Sequence, residues 1–386
     1  MKIVADANIP LLAEAFSPLG EVVALPAARL TPDAVAGADA LLVRSVTRVG
    51  QALLESSRVR FVATATIGVD HVDEAYLARR GIGFASAQGS NARSVAEYVL
   101  AALSVLAERR GERMTDYRLG IVGVGNVGGR LARMAEGLGM TVLCNDPPLA
   151  RRTRDPRLLP IEALAQADVL TFHVPLAREG PDATYHMIDE PLLARLRPGT
   201  ILVNTSRGAV ACTQALKAAV RAGRLGALVL DVWEGEPNID GELLTMAGIA
   251  TPHIAGYSYD GKVNGTRMVL DALCRHFGVE RPWDPSPLMP PAANPRVALP
   301  GGIDVNAAIR KAIAAAYDIQ ADDARLRAMP GGPSDRRGPH FTALRKDYPV
   351  RREFPETAVT LDAANPAVRA ALEALDFPVS EGPAAR

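Results

Sequence analysis

Three short polar clusters hold the side chains best suited to chemistry. They are Asn204-Thr205-Ser206-Arg207-Gly208, Asp231-Val232-Trp233-Glu234-Gly235-Glu236-Pro237 and Pro252-His253-Ile254-Ala255-Gly256. Arg207 carries a planar guanidinium that keeps its charge at any working pH and grips a carboxylate through two parallel hydrogen bonds. His253 carries an imidazole, which titrates near neutrality and can take a proton from a hydroxyl. Glu236 carries a carboxylate able to hold the other ring nitrogen and stabilise the imidazolium that forms, as in the base-and-orienter half of a triad. Oxidation of a hydroxyl next to a carboxylate needs these three things: a cation on the carboxylate, a base on the hydroxyl, and an acid that tunes the base. Singly, each residue has a plainer reading, as a surface ion pair, a helix cap or a solvated carboxylate. Their chain order behind a nucleotide-binding pattern favours the chemical one.

Each cluster lies just after an expected strand: Thr200 to Asn204 and Ala227 to Asp231 precede the first two, and at the third Ile249-Ala250-Thr251 and Pro252-His253 read as a return crossing that takes the chain back to complete the first domain. The pattern that organises them lies upstream. A strand from Leu119 to Val122 leads into Gly123, Gly125 and Gly128, a G-x-G-x-x-G turn, followed by helical composition from Arg130 to Leu138 and a second strand from Thr141 to Cys144. Gly123 allows the tight turn, Gly125 a close approach of pyrophosphate, and Gly128 close packing of the helix, whose first turn (Asn126, Val127) presents N–H groups to phosphates. Asp146 comes 18 residues after Gly128, near the spacing of about 20 for the acid that binds ribose hydroxyls. A carboxylate there favours NAD over NADP, with Arg151 and Arg152 as the nearby cations. Val169 to Val174 is a further strand. His173 at its end is a rival base, but Pro175 fits a wall of the nicotinamide pocket better.

Ahead of this unit, Lys2 to Ala5, Glu21 to Leu25, Ala40 to Val43 and Phe61 to Thr64 read as strands alternating with helical segments at Ile9 to Leu19 and Val49 to Ser56. Such alternation predicts a parallel sheet with crossover helices, and ligands at the carboxyl ends of its strands. Asp6, Arg44-Ser45 and Ala65-Thr66-Ile67-Gly68 stand at those ends. Asp70 and His71 form a polar pair that belongs to no metal-ligand motif in the sequence and reads as a loop cap. The expected class is α/β, with two doubly wound, Rossmann-like parallel-sheet domains and a smaller α+β C-terminal domain. The expected boundaries are 1–93 plus 252–281 for a substrate-binding domain, 94–251 for the NAD-binding domain, 282–300 for a linker with seven prolines, and 301–386 for the C-terminal domain. Ala92 to Arg110 reads as the long helix connecting the first two. In the last domain helices are expected at Asp304 to Asp318 and Ala367 to Leu375, with a strand at Thr357 to Leu361.

The chain of 386 residues balances 43 Lys and Arg against 43 Asp and Glu, so nothing global attracts nucleic acid or an anionic membrane. No apolar run approaches the roughly 18 residues of a bilayer span, and Met1-Lys2-Ile3-Val4 runs into a strand without a signal-peptide pattern. Cys144, Cys212 and Cys274 are widely spaced, match no metal-ligand pattern and fit a reducing compartment. A cytoplasmic protein without a metal is expected.

The glycine turn, Thr171-Phe172-His173-Val174-Pro175-Leu176, Asn204 to Val210, Leu230 to Pro237 and Thr251 to Gly256 together resemble the D-isomer-specific 2-hydroxyacid dehydrogenases. The resemblance spans about residues 1 to 280. It implies that Arg207, Glu236 and His253 are the catalytic arginine, acid and histidine. A narrower likeness reaches further, through Ile3 to Pro10, Val43 to Thr47, Thr64 to His71, His253 to Tyr257, Tyr317-Asp318-Ile319, Ala321-Asp322-Asp323, Phe341, Leu344-Arg345-Lys346 and Arg351-Arg352-Glu353. It points to members that oxidise 4-phospho-D-erythronate to (R)-3-hydroxy-2-oxo-4-phosphobutanoate in pyridoxal 5′-phosphate synthesis, and that form homodimers through the C-terminal domain. The likeness implies substrate contacts at Ser45, Thr66, Arg207 and Tyr257. It implies NAD contacts at Asp146, Pro175, Ser206, Arg207, Gly208, Asp231 and Gly256. Ile67, Val69 and Ala211-Cys212 depart from the pattern without touching the three catalytic positions. For the substrate phosphate the candidates are Arg44 and the basic run Arg345, Lys346, Arg351 and Arg352, whose plainer reading is a solvated face. A 3-phosphoglycerate or other D-2-hydroxyacid dehydrogenase is the alternative enzyme, and a non-catalytic NADH-responsive binding protein is the alternative of another class.

Overall fold

The computed structural model describes residues 1–329 and 337–382 and divides into two compact units, Met1–Ala92 with Ser258–Pro290, and Arg93–Tyr257 with Pro291–Arg386. In the first unit five strands, β1 (Lys2–Asp6), β2 (Glu21–Leu25), β3 (Ala40–Val43), β4 (Phe61–Thr64) and β5 (Gly83–Ser86), form one parallel sheet in the order β2-β1-β3-β4-β5. Alternate residues feed its two faces. Ile3, Ala5, Leu42 and Ala63 pack with Val269, Leu270 and Leu273 of helix Tyr259–Phe277, while Val4, Leu41, Val43 and Val62 face Leu54, Tyr76 and Leu77. The strand β5 has no apolar alternation to announce it, since Gly83-Phe84-Ala85-Ser86 is half-buried throughout.

The second unit is built on six parallel strands: β6 (Arg118–Val122), β7 (Thr141–Asn145), β8 (Val169–Phe172), β9 (Thr200–Asn204), β10 (Leu225–Leu230) and β11 (Ile249–Ala250), in the order β11-β10-β9-β8-β6-β7. The reversal of direction after β6 puts a crevice beyond the carboxyl ends of β6 and β8. Helix Ala92–Arg110 begins at the boundary between units and is buried along most of its length in this one, against Ile121, Val203 and Val229.

Two expected boundaries shift. The chain leaves the second unit after Tyr257, because the Asp231 carboxylate holds residues 251–255 against the end of β10 (below). The segment expected as a linker over 282–300 contains a strand, β12 (Arg296–Leu299), which pairs in parallel with β13 (Ala358–Leu361), itself paired with β14 (Val379–Glu381). Helices Val305–Ala316 and Pro366–Ala374 cover this small sheet and belong to the same hydrophobic core as the nucleotide sheet. Asp304 caps the first of them, accepting from Asn306 and Ala307. Helix Pro366–Ala374 lies so close to helix Asn126–Gly137 that a Cβ on Gly137 would stand 2.8 Å from that of Ala374. Helix Ile319–Arg327, with no amphipathic signature in sequence, closes the edge at β11, where Asp323 accepts from Ala250 N at 2.7 Å. Among the described residues no helix is long and apolar enough to cross a membrane.

Candidate active site

The glycine turn joins β6 to helix Asn126–Gly137. Gly123 has φ +88°, and a Cβ there would lie 2.6 Å from the His173 carbonyl oxygen. A Cβ on Gly128 would lie 2.0 Å from the Gly123 oxygen. At Gly125 the opposite holds: among the described residues a Cβ would meet nothing within 4 Å. That combination of two backbone-crowded glycines and one facing a void fits a pyrophosphate at the helix terminus. Asp146 shapes the same loop. Its carboxylate accepts from Val124 N and Leu149 N, both at 2.9 Å, and caps the helix Pro147–Thr153. Arg151 is engaged with Asp182, which takes one of the two cations near Asp146 out of consideration for a 2′-phosphate. The loop after β8 is pinned by Thr184, whose hydroxyl donates to the Pro175 carbonyl at 2.5 Å and accepts from Ala177 N at 2.8 Å.

The ends of β9 and β10 are drawn together by the absence of a side chain. A Cβ on Gly208 would stand 2.0 Å from the Trp233 carbonyl group, so this glycine sets the distance between the Arg207 loop and the loop carrying Glu236. Asn204, wholly buried, shapes the turn: its Oδ1 accepts from the Ser206 N–H (3.0 Å) and hydroxyl (2.7 Å), and its amide donates to the Arg207 carbonyl (3.1 Å). The Ser206 hydroxyl is thereby turned inward, and Arg207, half-buried, projects past it with Nη1 on the Ser206 carbonyl at 2.9 Å.

Glu236 and His253 meet. The histidine Nδ1 donates to Oε2 at 2.8 Å, while Oε1 accepts from Trp233 N at 2.7 Å. With Nδ1 engaged, Nε2 is the nitrogen left to accept a proton, and the side chain is about a third exposed, enough to reach a ligand. Burial pushes the Glu236 carboxyl up. The charge and hydrogen bond of His253, the Trp233 N–H and the charge of Arg345 outweigh that and leave it below the usual carboxylate range. His253 sits in the left-handed region at φ +58°, an arrangement costing about 1–3 kcal/mol for a residue with a side chain. Asp231 holds it there. Its carboxylate accepts from Thr251 Oγ1 (2.6 Å), Ile254 N (2.7 Å) and Ala255 N (2.9 Å), and its carbonyl accepts from His253 N (2.7 Å). Tyr98, from the long helix, adds its hydroxyl to Thr251 at 2.7 Å, and Trp233 Nε1 donates to the Thr251 carbonyl at 2.9 Å. Asp231, expected as a cofactor contact, thus has both carboxylate oxygens turned to the loop that presents the base. Tyr98 lies 153 positions from Thr251, and no local pattern could have marked it. Gly256 and Tyr257 continue this loop, with Tyr257 N donating to Ile254 O at 2.9 Å.

In the first unit, Ser45 and Thr66 stand just beyond the ends of β3 and β4, Ser45 exposed and Thr66 half-buried. Thr66 Oγ1 contacts Thr64 Oγ1 at 2.7 Å, which in turn lies 3.1 Å from His71 Nε2. His71, expected only to cap a loop, therefore ends a hydroxyl chain behind Thr66, and burial lowers its pKa despite Asp70. Arg44 is committed to the fully buried Asp6, Nε to Oδ2 at 3.2 Å.

The rival base is disposed of by its neighbours. His173 lies between Thr171 Oγ1 (3.0 Å) and Thr205 Oγ1 (3.1 Å), and desolvation drops it to about 3, so it stays neutral with both nitrogens engaged. A second imidazole–carboxylate contact, His186 Nε2 with Glu234 Oε1 at 2.6 Å, pairs residues whose sequence gave no reason to join them. Glu234 also accepts from Thr213 N at 3.2 Å, beside Cys212, so it serves as a brace between loops. Among the described residues no cluster of three or more His, Cys, Asp or Glu could hold a metal ion.

A family model described as the NAD-binding domain of D-isomer specific 2-hydroxyacid dehydrogenases matches residues 92–255. A Marinobacter nauticus protein named erythronate-4-phosphate dehydrogenase is 46% identical over 380 residues, covering 98% of this chain and 99% of its own. The chain belongs to the D-isomer-specific 2-hydroxyacid dehydrogenases. It is an NAD-dependent oxidoreductase with the parallel α/β architecture of that family. A second dehydrogenase of the same name, from Salinibacter ruber, is 48% identical and spans 93% of this chain and 94% of its own. Of solved structures, the TT0316 protein of Thermus thermophilus is 28% identical with TM-score 0.62 over 73% of this chain and 99% of its own. A D-lactate dehydrogenase of Aquifex aeolicus, complexed with NAD and lactic acid, shares the fold at 24% identity, with TM-score 0.58 over 72% of this chain and 96% of its own. Residues 288–375 of the dehydrogenase match a further family model described only as a domain of unknown function.

Proposed function

We propose that this dehydrogenase oxidises 4-phospho-D-erythronate at C2 to (R)-3-hydroxy-2-oxo-4-phosphobutanoate, a step toward pyridoxal 5′-phosphate. The reading is carried by one observation: relatives named for this activity match the chain from end to end, at 46% identity over 98% of it. The chemistry follows from the second unit. Bound NAD supplies the acceptor for the hydride that leaves C2. His253 Nε2 takes the C2 hydroxyl proton, and the electron pair left on oxygen forms the new carbonyl bond. Glu236 holds Nδ1–H and offsets the charge of the imidazolium. Arg207 grips the substrate carboxylate and polarises the forming carbonyl. Gly123, Gly125, Asn126, Val127 and Gly128 cradle the pyrophosphate, Asp146 takes the ribose hydroxyls, and Pro175, Ser206, Gly208 and Gly256 line the cofactor side. Ser45, Thr66 and Tyr257 contact substrate. The protein is cytoplasmic and works as a homodimer formed through the C-terminal segment, with no nucleic-acid partner, in keeping with its zero formal net charge. Purified protein mixed with NAD and 4-phospho-D-erythronate will form NADH and a product trapped by hydrazine. Absence of NADH would refute the activity. Light scattering of a monomer at micromolar concentration would refute the dimer.

A further inference from the structure

Three of the five cations eligible for an anionic substrate tail are engaged elsewhere, and a fourth lies on the surface. Arg44 is held by Asp6. Arg352, only 7% exposed, pairs with Glu356 at 2.8 Å. Arg351, 6% exposed, stacks over Tyr317 with its Cζ 4.1 Å from the ring centroid, and donates to Ala255 O and Ser94 O, both at 2.9 Å. Lys346 is exposed. These correct the expectation of one solvated basic face: Arg351 and Arg352 are interior residues, and Arg351 fastens the C-terminal segment to the loop that carries His253.

Arg345 differs from all of them. It lies in helix Arg337–Lys346, in the same compact unit as Arg207, Glu236 and His253. Its Nη2 donates to the Tyr257 hydroxyl at 2.9 Å and its Cζ stands 5.6 Å from the Tyr257 ring centroid. Tyr348 braces that ring edge-on, at 5.8 Å between centroids. Among the described residues Arg345 Nε is buried and has no hydrogen-bond partner; Arg351 Nε and Nη1 share that state, but Arg351 is shut into the interior at 6% exposure, whereas Arg345 is half-buried. A desolvated donor would be costly without a ligand to meet it. Its charge is already felt at the Glu236 carboxyl.

We infer that Arg345 is the specificity-determining cation of the site. Together with the Tyr257 hydroxyl it receives the phosphate at the end of the substrate remote from the carboxylate held by Arg207. The C-terminal segment thereby contributes a binding group to its own chain's active site, in addition to any part in assembly. A guanidinium suits a phosphate because its planar fork meets two oxygens at once. The inference rests on the proposed reading of the substrate as a phosphorylated 2-hydroxy acid.

The test compares kcat/KM for 4-phospho-D-erythronate and for unphosphorylated D-erythronate in wild type, Arg345→Gln and Arg345→Lys, with NADH binding followed by fluorescence. In Arg345→Gln the ratio of the two kcat/KM values should fall on the order of 10- to 100-fold, the size expected for a lost hydrogen bond to a charged group. The fall should appear in KM for the phosphorylated substrate, with partial recovery in Arg345→Lys and NADH affinity held. An unchanged ratio, or equal losses on both substrates, overturns the inference while leaving the proposed activity standing. A wild type that oxidises D-erythronate as well as its 4-phosphate removes the reading beneath it and overturns both. Should Arg345→Gln fail to bind NADH for want of folding, the Arg345→Lys and Tyr257→Phe variants carry the same comparison, and an unchanged ratio in both overturns the inference.

Discussion

Replacing Glu236 with glutamine isolates what the carboxylate does. The two oxygens have separate duties, Oε1 toward Trp233 N at 2.7 Å and Oε2 toward His253 Nδ1 at 2.8 Å. Glutamine has one carbonyl and one amide group to offer in the same places. With its oxygen on the Trp233 N–H, its NH2 faces Nδ1 and forces that nitrogen to accept, which moves the ring hydrogen to Nε2 and blocks proton uptake. Flipped, the NH2 opposes the Trp233 N–H. The lost electrostatic support can be sized: unit charges about 4 Å apart at an effective dielectric of about 20 interact by about 4 kcal/mol. That overlaps with, and does not add to, the roughly 1.5–3 kcal/mol of a hydrogen bond to a charged group. A loss of about 3–4 kcal/mol of transition-state stabilisation is on the order of 10²–10³ in rate. Steady-state kinetics should show it in kcat, with KM and NADH affinity little changed, because the carboxylate acts through the base. Glu236→Asp, which keeps the charge, should recover part of it. Activity within about threefold of wild type in Glu236→Gln, or a loss confined to KM, would refute the reasoning.

Other consequences follow from the same geometry. Arg207→Ala should lose on the order of 4–6 kcal/mol of transition-state stabilisation, read from kcat/KM; a variant keeping most of its activity would remove Arg207 from its role. Gly128→Ala puts a methyl 2.0 Å from a backbone oxygen that has no room to yield. It should cost at least about 1–3 kcal/mol in a urea titration, and weaken NAD binding measurably. His173 falls from its ordinary 6.5 to about 3 in the folded protein, so the unfolded chain binds the extra proton. Its contribution to stability is complete above pH 6.5 and declines as pH drops from there toward about 3. Between pH 7 and 5 this amounts to at most about 2 kcal/mol, at roughly 1.4 kcal/mol per unit. The acid-induced drop in urea midpoint should shrink in His173→Asn, and an identical drop would exclude the cause.

Much of the site was legible because its residues are local to strand ends. Apolar runs of β6, β8, β9 and β10 are short and continuous, as buried parallel strands must be, and each ends in the cluster that does chemistry. Residue type and chain order behind the glycine turn pair Glu236 with His253, and the structure joins them. What could not be read is what depends on distant packing. Tyr98 reaches Thr251 only because the long helix lies buried in the nucleotide unit, and His71 stands behind Thr66 through the intervening Thr64 hydroxyl. The proline-rich stretch concealed β12, since its apolar alternation is only Val297 and Leu299 between prolines. The basic run near the C-terminus looked uniform in sequence. Burial separates Arg351 and Arg352, which hold the segment in place, from Arg345, which turns to Tyr257.

The identity of the substrate is tested by the initial rate of NADH formation by the wild-type protein with 4-phospho-D-erythronate and with 3-phosphoglycerate under identical conditions. The two differ by one hydroxymethylene unit between the reacting carbon and the phosphate. A site that clamps both anions should discriminate by roughly tenfold or more in kcat/KM. 4-Phospho-D-erythronate should be the better substrate by at least that margin. A higher kcat/KM for 3-phosphoglycerate, or no NADH from either, would contradict it.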